Sequence, residues 1–176
     1  GKVHSENVRR LGNVEIAAVA GSTAARAKAF ADSIGVDNST GDYKTILADK
    51  SIDAVHVLTP NALHFPVTMA AMEAGKAVLC EKPLTLDAEE ARKMVEYAEA
   101  HNIVNCVQHN LRYYPVVQHI RQMIAAGELG DILIVQGTYS QDWLLYETDY
   151  NWRVERAANG VLRAVGDIGS HWMDMI

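Results

Sequence analysis

Basic residues are few and scattered: 16 lysines and arginines stand against 22 aspartates and glutamates, for a formal net charge of -6 in 176 residues. Without a basic stripe the chain is not expected to bind nucleic acid or an anionic membrane surface. Cysteine is scarce as well, with only Cys80 and Cys106 and no Cys-x-x-Cys spacing. Both lie in or beside apolar runs, where a buried free thiol is the usual state and a reducing compartment fits. No apolar run approaches the ~18 residues of a membrane span, and no signal peptide opens the chain. Hydrophobic residues still make up 49%, too many for disorder. The expectation is a cytoplasmic globular protein. Gly1 does not resemble a natural start and Asp174-Met175-Ile176 stops in mid-pattern, so the sequence reads as a fragment.

What is present alternates. Residues 2 to 11 predict a helix closed by Gly12, which takes the left-handed position after a helix cheaply. Val14 to Ala20 reads as a strand, apolar but for Glu15. A helix follows from Thr23 to Ile34, with Ala27, Phe30, Ala31 and Ile34 in phase, and a short one from Tyr43 to Ala48. Asp53 to Leu58 predicts a second buried strand, which runs through Thr59-Pro60-Asn61 into a helix over 62–74. Ala77 to Cys80 is a third strand. Asp87-Ala88-Glu89-Glu90 has the form of a capping box for a helix reaching His101, and Ile103 to Val107 is a fourth strand. Short connections between alternating strands and helices predict an α/β, Rossmann-type, doubly wound parallel sheet, here without its first strand.

The pattern changes near residue 110. Tyr114 to Ala126 predicts an amphipathic helix, and Ile132 to Tyr139 a strand containing Gly137. Residues 140 to 165 show no clean period but hold Trp143 and Trp152, with Trp172 just beyond; so long and aromatic a loop points to function. The division is a dinucleotide-binding domain over 1–110 and, over 111–176, the beginning of an α+β domain.

Ligands of open parallel sheets bind at the carboxyl ends of the strands. Four such places carry candidates. Gly1, directly before the first helix, is the one survivor of a phosphate-binding glycine motif, or else a tag remnant. After the Val14–Ala20 strand come Gly21-Ser22-Thr23 and Arg26, with no carboxylate. A carboxylate there would hold the ribose hydroxyls of NAD, whereas an arginine suits the 2′-phosphate of NADP, so NADP is favoured over NAD. Thr59, Asn61 and His64 stand at the next strand end, where the nicotinamide half would pass; the alternative is a plain turn with His64 on a helix surface.

Glu81-Lys82-Pro83 ends the third strand. A lysine needs its pKa lowered by ~3 units to act as a base at neutral pH, which Glu81 opposes. Lys82 therefore suits a charged hydrogen-bonding role, and Pro83 is placed for a cis bond. The base is expected from Gly166-Asp167-Ile168-Gly169-Ser170-His171. Asp167 and His171 are four apart and share a helical face, so that the carboxylate would orient the imidazole and raise its basicity. A metal pair and a structural helix start compete with this reading. No cysteine or second histidine has ligand spacing nearby, so no metal is assigned. His4, His56, His101 and His119 are read as structural.

Taken in order, Thr59-Pro60-Asn61 with His64, Ala74-Gly75-Lys76, Glu81-Lys82-Pro83, Asn110-Leu111-Arg112-Tyr113, Gly127-Glu128-Leu129-Gly130, Trp152-Arg153 and Asp167-Ile168-Gly169-Ser170-His171 resemble the Gfo/Idh/MocA oxidoreductases. The resemblance covers essentially the whole chain. It implies a Rossmann domain, a second domain on a large, mainly antiparallel sheet, and catalysis between them. It implies hydride transfer between NAD(P) and a sugar, cyclitol or related polyol, in a homo-oligomer (dimer or tetramer). Lys82 is then the active-site lysine, Asp167 assists it and His171 is the base. Asn61, Glu81 and Arg112 line the cofactor, and Trp152-Arg153 reach it from the second domain. Two departures stand out: Gly21 where many members have aspartate, and Asn159-Gly160 in place of a glycine pair. Substrate specificity is expected from Trp143, Tyr146 and Tyr150. The alternatives are a non-catalytic dinucleotide-binding regulator, or a member that eliminates or hydrolyses through transient oxidation.

Overall fold

A computed structural model describes all 176 residues. Helix α1 (Lys2–Arg10) is followed by β1 (Val19–Ala20), α2 (Ala24–Ser33), β2 (Ser39–Thr40), α3 (Tyr43–Ala48) and β3 (Ala54–Val57). Then come α4 (His64–Glu73), β4 (Ala77–Glu81), α5 (Ala88–His101) and β5 (Asn105–Gln108). The remainder holds α6 (Pro115–Ala125), α7 (Arg156–Asn159) and α8 (Ser170–Met175).

All strand pairs are parallel, as the alternation predicts, but the sheet comes in two pieces, β1-β2 and β3-β4-β5. The usual doubly wound order places the strand before the first helix between these two pieces. No residue of this chain occupies that position. Two expectations shrink accordingly. The strand over Val14 to Ala20 is reduced to Val19–Ala20, because its partner β2 offers only Ser39 and Thr40. Strand β3 is not buried throughout: Val57 is, but Ala54 and His56 are exposed on its uncovered side.

Helix ends follow local chemistry. Thr23 Oγ1 accepts from the Arg26 amide, Asp42 from that of Lys44 and Asp87 from that of Glu90, so each helix starts one residue after an oxygen-bearing side chain. Asn102 closes α5 in the left-handed conformation at φ 53°.

The core lies between β4 and the helices α4 and α5. Val67 with Ala71 on α4, and Met94 with Ala98 on α5, are spaced four apart and present one face to Val57, Val78 and Cys80. Lys76 is also buried, its Nζ donating to the carbonyls of Asp49 at 2.6 Å and Ile52 at 2.7 Å, which fixes the loop entering β3.

Residues 111–176 are built differently. The strand expected over Ile132 to Tyr139 does not form, since no second strand lies beside it. Leu133 and Ile134 are more than four-fifths exposed, and no residue of α6 is buried. Cys106 is exposed as well, against expectation, because β5 is an edge strand; Cys80 on the central strand is buried.

Candidate active site

Strands β3 and β4 run side by side, with Val57 opposite Cys80, so their carboxyl ends open at one level. The peptide between Lys82 and Pro83 is cis, as the sequence allows. His64, at the start of α4, is buried and binds both turns: Nδ1 contacts the Pro83 carbonyl at 2.6 Å and Nε2 that of Thr59 at 3.0 Å. Its polar atoms are thus spent on holding the Thr59-Pro60 and Lys82-Pro83 turns together.

A cleft of about 540 Å³ opens above these turns. Gly1, Thr59, Asn61, His64, Glu81, Lys82, Trp152, Arg153, Asp167 and His171 all line it. The residues from the two ends of the chain meet through Lys82, whose Nζ donates to Asp167 Oδ1 at 3.0 Å and to the Asp167 carbonyl. Lys82 and Asp167 are largely shielded from water, which leaves their attraction little screened. Arg153 Nε stands 3.7 Å from the same Oδ1, and its guanidinium lies 4.8 Å over the Trp152 ring.

The pairing of Asp167 with His171 does not form as expected. Residues Val165–Gly169 are wound with i→i+5 bonds, so four residues fall short of a full turn, and the Asp167 carboxylate faces Lys82 instead. His171 Nδ1 is buried with no partner. Its pKa is not raised but lowered, first by burial, then by the Lys82 ammonium and by His109, which together outweigh Asp167. The imidazole is therefore neutral at neutral pH, the state in which it can accept a proton. The His109 ring lies 6.0 Å away, edge to face, and burial holds that group low too.

Other expected residues lie elsewhere. Arg112 does not line the cleft, because Asp174 of α8 takes its guanidinium, with Nε to Oδ2 at 3.0 Å. Ser22, Thr23 and Arg26 sit together at the end of β1, outside the lining, with Arg26 Nη1 3.3 Å from Ser22 Oγ. Of the three residues expected to set specificity only Trp143 reaches the cleft; Tyr146 and Tyr150 are exposed away from it.

Sequence reasoning missed Gln141, Asn151 and Asn159. Asn151 Oδ1 accepts from the Arg153 amide at 3.1 Å, and buried Asn159 donates through Nδ2 to the Trp152 carbonyl at 2.9 Å. These two asparagines fix the Trp152-Arg153 turn. The departure at Asn159-Gly160 thus has a structural role, and it was the signal that could have found it. Gly160 takes φ +72° against Leu86, a conformation open to glycine.

Two features of the cleft suit a dinucleotide. Thr59 Oγ1 is buried without a hydrogen-bond partner, and a polar ligand in the cleft can provide one. Gly1 lines the cleft at the N-terminus of α1, where the free amides of a helix's first turn favour an anionic group, and a Cβ there would come within 2.7 Å of the Phe30 ring, so the position has no room for a larger residue.

Residues 1–109 match the model of the oxidoreductase family with an NAD-binding Rossmann fold, and residues 117–176 that of the GFO/IDH/MocA C-terminal domain. The chain belongs to the Gfo/Idh/MocA family. It is 40% identical over 142 residues to levoglucosan dehydrogenase of Pseudarthrobacter phenanthrenivorans, covering 80% of this chain and 36% of that protein. It is 45% identical over 122 residues to D-xylose 1-dehydrogenase (NADP(+)) of Hypocrea jecorina, covering 67% of this chain and 31% of that protein. Among solved structures, levoglucosan dehydrogenase in complex with NADH and levoglucosan superposes with a TM-score of 0.85 at 38% identity, over 90% of this chain and 43% of that one. The apo form of levoglucosan dehydrogenase gives a TM-score of 0.91 at 35% identity, over 99% and 48%. The chain thus spans a third to a half of the length of these relatives.

Proposed function

We propose that the whole protein is an NAD(P)-dependent dehydrogenase acting on a secondary or anomeric hydroxyl of a small sugar, cyclitol or related polyol. The observation that carries this is the Lys82–Asp167 bond beside a neutral His171 in one cleft. Relatives named for levoglucosan, D-xylose and NADP support the substrate class and the cofactor.

Gly1, Thr59, Asn61, Trp152 and Arg153 would hold the cofactor, which supplies the hydride acceptor when bound. The remaining chemistry belongs to the protein. His171 takes the hydroxyl proton at Nε2, the ring nitrogen that is not buried. The Lys82 ammonium hydrogen-bonds the same oxygen and stabilises the negative charge that develops on it. Asp167 holds the ammonium in place, and Arg153 helps to balance the carboxylate.

The proposal extends to cofactor choice, domain division, assembly and location. NADP is favoured over NAD because Ser22 and Arg26 stand at the end of β1 where a carboxylate is absent. A Cβ on Gly21 would meet the Ala27 backbone nitrogen at 2.9 Å, so an aspartate there requires α2 to shift. The domains divide at residue 110, the protein works as a dimer or tetramer, and it resides in the cytoplasm, consistent with two unpaired cysteines. No helix is long and apolar enough to cross a membrane.

The test is Lys82→Ala in the whole protein, assayed with NADP⁺ or NAD⁺ against a panel of sugars and cyclitols. Turnover should fall about 10²–10⁴-fold while the affinity for NAD(P)H stays within about twofold. Unchanged turnover on a substrate of the wild type would overturn the assignment.

A further inference from the structure

The sequence offers Glu81 as a cofactor ligand, but both of its carboxylate oxygens are engaged within the chain. Oε1 accepts from His4 Nε2 at 3.0 Å, and Oε2 accepts from the backbone amide of Lys82 at 3.2 Å. His4 lies on α1, one turn from Gly1, and its side chain is only 14% exposed. Its second nitrogen, Nδ1, is 3.3 Å from Nδ1 of His56 on β3, with the two rings edge to face at 5.4 Å.

Proton bookkeeping orders these contacts. A carboxylate only accepts, so His4 Nε2 carries the hydrogen that meets Glu81. The contact between the two Nδ1 atoms takes one hydrogen, carried by one ring and accepted by the other. Although His56 is exposed along one side, partial desolvation of its ring and then the charge of His4 lower its pKa, so it is neutral at neutral pH. Glu81 is stabilised as the anion: burial opposes this, but the hydrogen bond and charge of His4, the Lys82 amide and the Lys82 ammonium outweigh it. The contacts run in one chain, from His56 to His4 to Glu81, and Glu81 also accepts from the backbone amide of Lys82.

We infer that His56, His4 and Glu81 form a positioning relay that fixes the cofactor-facing end of α1 to the strand end carrying Lys82. It rests on the dehydrogenase reading for its purpose but not for its existence. Outside this relay α1 has few polar ties to the sheet. Its N-terminus is where the backbone meets the cleft at Gly1, and the relay ends one bond from the lysine that meets the substrate. Loss of His4 frees both at once, and none of the three side chains needs to touch a reacting atom.

The experiment compares His4→Leu with His4→Gln in the whole protein, reading two quantities besides turnover: the dissociation constant of NAD(P)H by fluorescence titration and hydrogen exchange of the α1 amides. In His4→Leu, cofactor affinity should fall about tenfold, the weight of one hydrogen bond to a charged group, and α1 should exchange at least several-fold faster. His4→Gln keeps a donor for Glu81 and an acceptor for His56, so affinity should return to within about twofold of wild type. Wild-type affinity and exchange in His4→Leu would overturn the relay, as would a tenfold loss in His4→Gln, which also serves alone should the leucine variant not fold. A wild-type protein that binds no NAD(P)H would overturn the dehydrogenase reading instead, and exchange of α1 would still decide the relay.

Discussion

The strands β3 to β5 and the run from Ile132 to Tyr139 are about equally apolar, yet the first three make a hydrogen-bonded ladder and the last makes none. Composition does not separate them. Each strand of the ladder has a neighbour on at least one side, and β3 and β4 pack with α4 and α5 in one core, while residues 132–139 have neither. The two halves of the cleft are therefore held by different forces. Its floor rests on a core in which Ala71, Cys80, Val57 and Met72 are essentially closed to water. Its far wall is tied by directed polar bonds: Lys82 to Asp167, Asn159 to Trp152, and Arg112 to Asp174.

The largest test of that contrast is a pair of truncations in the 176-residue chain. Met72→Ala should cost about 2–5 kcal/mol, since it removes a side chain from a packed core and leaves a cavity. Ile134→Ala should fall within about 0.5 kcal/mol, because that side chain is 85% exposed. Denaturant midpoints measure both, and equal costs would dissolve the contrast. Lys76→Met comes next. The methylene stem is kept, but the carbonyls of Asp49 and Ile52 lose their shared donor, at about 1–3 kcal/mol for each that stays buried.

Acid should act on the far wall first. The Arg112 guanidinium holds the Asp174 carboxyl below its ordinary value of 3.8, against a smaller opposing effect of burial. A depressed folded pKa means that the contact stabilises fully above the unfolded value and is lost as pH falls through the folded one. Below about pH 4 the fluorescence of Trp172, on the same helix as Asp174, should change before the far-ultraviolet signal of the sheet and its helices. Asp174→Asn should abolish that early step.

How legible all this was depends on whether the signal is local. Asp87, Asp42 and Thr23 announce helix starts through bonds to amides two or three residues away, and those helices begin where expected. The pair Ser39 and Thr40 escapes notice because two polar residues carry no strand period; only their pairing with Val19 and Ala20 makes them a strand. The family motifs bring Lys82, Asp167 and His171 to one cleft, but the i→i+5 turn around Asp167 changes which of them are partners. Gln141 and Asn151 escape notice for a further reason. Each acts through side-chain bonds within a stretch of irregular backbone, where spacing carries no information.

The smallest effect concerns the two thiols, which report on the same contrast without disturbing the fold. Cys80 is 1% exposed on the central strand, and burial, aided by the charge of Glu81, pushes its pKa up to about 11. At pH 8 almost none of it is thiolate, the reactive form, and no reagent reaches it without opening the layer between β4 and α4. Cys106 points outward from the edge strand β5. A native thiol titration should therefore show one fast equivalent, removed by Cys106→Ser, and a second only on unfolding. Alkylation of Cys106 should leave the denaturation midpoint unchanged within error, since the residue is exposed. If Cys80 reacts as fast as Cys106 in the native state, the strand beneath Lys82 opens as readily as the edge, and the floor of the cleft is no firmer than its wall.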